Sequence, residues 1–134
     1  MIGIDTNLLL RLIVGDDPKQ AVAARDFLRD NCSADEPGYV CNIVLVEMVW
    51  TLARAYGFTR DQIADAIEQV LETAQLDIES SNDVAAAVKD YRSGTADFAD
   101  CLLVRVNSAA GCTHTATFDR KAAKLAGFEL LIGG

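Results

Sequence analysis

The chain opens Met1-Ile2-Gly3-Ile4-Asp5-Thr6-Asn7-Leu8-Leu9-Leu10-Arg11. It is apolar from the first residue and stops abruptly at an acid, as a short buried strand does where it reaches the edge of a sheet. Directly behind it, residues 6–14 carry leucines at helical spacing. A strand that passes into a helix with only an aspartate between them is the start of a β–α unit.

The alternation continues along the chain. Asp17-Pro18 has the form of an N-cap followed by proline at the first helical position, which predicts a helix to about Asn31. Asp35-Glu36-Pro37-Gly38 reads as a turn and 39–41 as a short strand. Asn42 caps a predicted helix over 43–56, closed by Gly57. Thr59 caps another to about residue 73, with Ile63, Ala66, Ile67, Val70 and Leu71 on one face. Residues 76–79 read as a strand, 82–91 as a helix closed near Gly94, and 97–109 as a helix. Then come a strand over 113–118, a helix over 119–125 and a last strand over 128–132. Short strands separated by helices predict an α/β fold. The expected core is a central parallel sheet of about four to five short strands flanked by helices. Ligands on such sheets bind at the carboxyl ends of the strands.

Length and composition set the frame. A chain of 134 residues, 51% hydrophobic, is expected to form one domain over 1–134, with a core that needs no staples. The apolar fraction excludes intrinsic disorder. Twelve Lys and Arg against 20 Asp and Glu give a net charge of −8, which by itself argues against nucleic acid as a partner. The cysteines (Cys32, Cys41, Cys101 and Cys112) contain no C-x-x-C pair, and His114 is the sole histidine, so a Cys/His zinc site is disfavoured. All four thiols are read as small buried or half-buried apolar groups. The opening residues lack the basic and apolar regions of a signal peptide, and apolar runs such as 43–46 are far short of a membrane span. These features predict a cytoplasmic protein with reduced thiols and no membrane partner.

The acids carry the functional information. Asp61, Asp65, Glu68 and Glu72 have the spacing of a solvated helix face and receive no role. Asp5 and Asp119 each close an apolar strand, and parallel strands bring such ends to one edge of a sheet; either could equally be a helix cap. Asp97 and Asp100, three apart at the start of a helix, share one face. Asp97 also has a good reading as an N-cap, Asp100 a poorer one. Glu47 is the sole charge in Ile43-Val44-Leu45-Val46-Glu47-Met48-Val49-Trp50, a helix so apolar that Glu47 is expected to be buried. A buried carboxylate must be paired or bind a metal, and Arg54 or Arg11 is the structural alternative. Acids from four chain segments, without histidine or cysteine, suit Mg²⁺ or Mn²⁺ and metal-assisted phosphodiester hydrolysis.

With these residues in place the sequence resembles the PIN-domain ribonucleases, and within them the VapC-type toxins of toxin–antitoxin pairs. The matching pieces are residues 4–11, Val46-Glu47, Ala96-Asp97-Phe98-Ala99-Asp100-Cys101-Leu102 and Thr117-Phe118-Asp119, in the family's order and spacing over essentially the whole chain. The resemblance implies a PIN-like fold with an acidic pocket for Mg²⁺ or Mn²⁺. It maps the family's catalytic acids onto Asp5, Glu47, Asp100 and Asp119, with Asp97 as an additional acid. Asp5 and Asp100 would be the firmest metal ligands, and Thr6, Asn7 and Thr117 would orient the carboxylates. It further implies endonucleolytic cleavage of RNA, a VapB-type antitoxin that covers the site, and a homodimer. Under this reading the acidity has a use: site ions would return positive charge where phosphate binds, and a basic antitoxin segment becomes a natural inhibitor. RNA binding should then rest on few phosphate contacts.

Three other readings compete. A phosphatase of the haloacid-dehalogenase type needs a second Asp two residues after the first, where Asn7 stands. A receiver-like signalling domain needs paired acids after the first strand, where Asp5 is alone. A non-catalytic α/β interaction module accounts for Asp5, Asp97 and Asp119 as caps and surface charge, but leaves Glu47 without a reason.

Overall fold

The computed structural model describes residues 1–133. The chain forms two compact units, Met1–Ser81 and a second that begins at Asn82.

The first unit contains β1 (Ile2–Gly3), α1 (Thr6–Val14), α2 (Pro18–Asn31), β2 (Gly38–Val40), α3 (Asn42–Arg54), α4 (Arg60–Glu72) and β3 (Leu76–Ile78). Its three strands pair in the order β1-β2-β3, all parallel, with Gly3 opposite Tyr39 and Tyr39 opposite Asp77. Helix α1 packs on α2 and α3, while α4 packs on α3 and β3. The core is built from helical stripes. Leu45, Met48, Val49 and Leu52 line one face of α3, and Ile63, Ala66, Ile67 and Val70 one face of α4, with Val40 and Ile78 from the sheet. A side chain such as Leu45, wholly removed from water, contributes about 1.5–3 kcal/mol.

The helix ends follow local chemistry. Asp17 accepts from the Gln20 amide at 3.1 Å, with Pro18 opening α2. Thr59 and Gln62 form a reciprocal capping box on α4. The start of α3 departs from expectation. Cys41 is its cap residue and makes no side-chain cap bond, while Asn42 is already helical. The missing acceptor comes from the end of β3, where Glu79 Oε1 takes the Asn42 amide at 2.8 Å. Gly57, at φ 65°, supplies the left-handed turn after α3.

The second unit contains α5 (Ser81–Ser93) from its second residue on, α6 (Phe98–Ala109), β4 (Thr115–Thr117), a 3₁₀ turn (Ala122–Lys124) and β5 (Phe128–Leu130). Strands β4 and β5 pair in parallel as a sheet of two. Tyr91 and Phe98 meet edge to face, ring centres 5.9 Å apart, over a core that includes Val84, Val88, Cys101 and Leu102. The helix expected over 119–125 is only the 3₁₀ turn. Asp119 Oδ1 takes the amides of Lys121 and Ala122, a local arrangement that competes with α-helical bonding.

The expected α/β architecture with short parallel strands and flanking helices is present. Its five strands form ladders of three and two among the described residues. No helix among those residues is long and apolar enough to cross a membrane.

Candidate active site

In the first unit, Ile4, one residue past β1, and Val40 and Ile78, the last residues of β2 and β3, are buried, and Asp5, Cys41 and Glu79 directly follow them. Asp5 stands at the N-cap of α1 in extended conformation. Its backbone carbonyl accepts from Leu8 at 3.2 Å, but its carboxylate makes no cap bond. The cap reading of Asp5 therefore fails at the side chain: the group is exposed and uncommitted. Beside it Thr6 is buried, at 6% exposure, and its hydroxyl has no hydrogen-bond partner. A buried hydroxyl without a partner costs about 1–3 kcal/mol, so its position needs a reason. Asn7 is exposed on the first turn of α1.

Glu47 is exposed, which corrects the expectation of burial. Helix α3 buries one stripe only, and its outer face carries Ile43, Glu47, Trp50 and Arg54. Apolar composition misled here because large apolar residues, Ile43 and Trp50, lie on the solvent side. Neither expected arginine partners Glu47. Arg54 stacks on Trp50, and Arg11 binds Asp16, Gln20 and Tyr56.

In the second unit three acids gather at the start of α6 and the end of β4. Asp97 is the N-cap residue of α6, again with no side-chain cap bond. Asp100 is half-buried in the first turn. Asp119 lies just past β4, its amide donating to Thr117 Oγ1 at 3.0 Å. One oxygen of Asp119 is committed to backbone amides at 2.8 and 3.2 Å. So Thr117 and the 3₁₀ turn fix this carboxylate rather than leave it free. Partial burial holds the Asp100 carboxyl above its ordinary value, reinforced by the charges of Asp97 and Asp119 and opposed by Lys121. A half-buried carboxyl facing two further carboxylates forms a place where a cation relieves repulsion.

The fit to a metal ion rests on the donor set. The candidate ligands are all carboxylate oxygens, which suit Mg²⁺ or Mn²⁺. Asp5 and Asp97 have carboxylates that their helices do not use, and the Thr6 hydroxyl lacks a partner. Among the described residues, no group of three or more His, Cys, Asp and Glu side chains is arranged to hold a metal ion.

The remaining candidates are structural. His114 pairs with Glu129 and shares a hydrogen bond with the Thr113 hydroxyl, all on the surface. The cysteines form no disulfide among the described residues; Cys32 and Cys101 are buried and Cys41 half-buried, whereas Cys112 is exposed, against expectation. Its place in the exposed turn after α6 accounts for that. Sequence reasoning missed Glu79. The signal was there: Leu76-Asp77-Ile78-Glu79 ends a strand in an acid just as Ile4-Asp5 does.

A family model described as the PIN domain matches residues 2–128. The chain belongs to the PIN domain family. All five acids singled out by the sequence fall within the matched stretch. This PIN domain is also 26% identical over 126 residues to the VapC ribonuclease of Aquifex aeolicus (strain VF5). That alignment covers 94% of this chain and 92% of the relative.

Proposed function

We propose that this PIN domain is a metal-dependent endoribonuclease, the toxin of a type II toxin–antitoxin pair, with the whole chain acting as one catalytic domain. The observation that carries the reading is that Asp5 and Asp97 occupy helix N-caps while their side chains make no cap bond. Their carboxylates are thereby left for a ligand. The likeness to a protein named as a VapC ribonuclease supports the same conclusion.

Asp5, Glu47, Asp97, Asp100 and Asp119 are the proposed ligands of Mg²⁺ or Mn²⁺. Bound there, the ion would supply electrostatic stabilisation of the charge that develops on the phosphodiester and its leaving oxygen. The carboxylates orient and hold, and the Asp100 carboxyl, raised first by burial and then by the charges of Asp97 and Asp119, sits where a cation offsets that repulsion. Thr117 restrains Asp119 through its amide, and Thr6 and Asn7 are the groups proposed to orient Asp5. RNA is the proposed substrate, a VapB-type antitoxin the partner, the homodimer the assembly and the cytoplasm the compartment.

Two variants test this. Asp5→Asn and Asp100→Asn should each lose RNA cleavage in Mn²⁺-containing buffer while keeping their fold by circular dichroism. Normal cleavage by both ends the assignment. A thermal melt separates the enzyme from a non-catalytic module: millimolar Mn²⁺ should raise the melting temperature of the wild type and not of Asp100→Asn.

A further inference from the structure

We infer that the outer face of α3 is a docking platform for single-stranded RNA, with Trp50 as the base-stacking group and Arg54 as the phosphate contact. The inference rests on the ribonuclease reading and assigns residues outside the proposed metal ligands to holding the RNA.

Glu47, Trp50 and Arg54 recur at i, i+3 and i+7, so they share one face of the helix. Trp50 lies about 5 Å and Arg54 about 10 Å along the axis from Glu47. Trp50 is 59% exposed, an unusual position for the largest side chain. The Arg54 guanidinium carbon stands 4.0 Å from its ring centre. Arg11, Arg29 and Arg105 spend their charge on carboxylates: Arg11 on Asp16, Arg29 on Asp26 and Asp30, Arg105 on Asp90. Among the described residues, Arg54 has no ion pair. A cation held on a flat ring, free of acid partners, complements a phosphate beside a stacked base. In a chain with a net charge of −8, such a cation is where an anionic strand finds purchase. Stacking needs an unpaired base, which selects single strands over duplex. A strand engaged at Trp50 runs one helical turn from Glu47, the acid proposed to act at the phosphodiester.

The chain contains one tryptophan, so its fluorescence reports this position alone. The full-length protein is titrated with a fluorescein-labelled unstructured RNA 12-mer in EDTA, tryptophan emission reporting the wild type and Arg54→Ala and RNA anisotropy reporting every variant, and cleavage of the same RNA is followed in Mn²⁺. Saturable quenching is expected. Trp50→Ala should weaken binding roughly 5- to 100-fold, and Trp50→Phe, which keeps a ring, should recover most of it. Arg54→Ala should lower the slope of log affinity against log salt by roughly 0.7. In cleavage, Trp50→Ala should raise KM and leave kcat nearly unchanged. If the wild type cleaves RNA but shows no quenching, and both alanine variants keep its KM, this inference is overturned while the ribonuclease reading stands. Quenching without any cleavage sinks the ribonuclease reading and leaves the platform. If tryptophan emission instead follows protein concentration, and Trp50→Ala turns a dimer into a monomer, a second copy covers the face and the RNA platform is wrong.

Discussion

Helices α1 and α2 open alike in sequence and differently in structure. Each has an aspartate at the N-cap. Asp17 gives its carboxylate to the Gln20 amide at 3.1 Å; Asp5 gives its helix nothing beyond the backbone carbonyl. The same residue type at the same helix position is a structural cap in one place and an uncommitted anion in the other. Asp97 and Asp119 repeat the contrast in the second unit: Asp97 makes no cap bond, while Asp119 binds two amides with one oxygen. A cap that does not cap has given up about 1 kcal/mol of helix stability, which points to another use for the carboxylate.

The comparison can be broken by exchanging the two roles. The largest effect should be on activity. Asp5→Asn should lower RNA cleavage by at least about a hundredfold, because it removes a proposed metal ligand outright. Asp17→Asn should cleave at the wild-type rate, since that residue only closes a helix. Equal cleavage by both proteins would erase the distinction.

Stability should move the other way. Glu79→Ala removes a charge-assisted bond from the start of α3 and should cost about 1.5–3 kcal/mol in denaturant unfolding. Asp17→Ala should cost about 1 kcal/mol, a shift of a few degrees in melting temperature. Asp5→Ala should cost clearly less than Asp17→Ala. A larger loss at Asp5 would mean that its carboxylate does serve the helix.

The smallest effect sharpens the picture of the second unit. The Asp100 carboxyl is held above its ordinary value, so the folded state binds this proton more readily than the unfolded state does. Its contribution to stability is full in acid and is lost as pH rises through the folded-state pKa. Metal-free Asp100→Asn should therefore melt slightly above the wild type at neutral pH, and the gap should close on acidification. A lower melting temperature at neutral pH would show that Asp100 is held by favourable partners rather than by repulsion.

Element types were mostly legible because strand runs, caps and breakers are local. The capping box at Thr59, the proline start of α2 and the glycine stop at Gly57 all act within a few residues of themselves. The exception, 119–125, failed because a side-chain bond from Asp119 took amides that helical bonding would have used. The acids were legible as a pattern of strand ends and helix starts. Their individual states were not. Glu47 was expected inside and is outside, because composition counts apolar residues and says nothing of which face meets the core. Glu79 went unnoticed because its partner, the Asn42 amide, lies 37 residues away.

The sequence by itself determined the order of strands and helices, the parallel class of the sheets, and which acids are candidates. Periodicity and capping are short-range and are written in neighbouring residues. Tertiary structure alone decided which carboxylates are spent on amides and which are free, and that burial, with Asp97 and Asp119 nearby, raises the proton affinity of Asp100. Those outcomes depend on distances between segments far apart in the chain, and electrostatic and hydrogen-bond energies follow distance in space rather than separation in sequence.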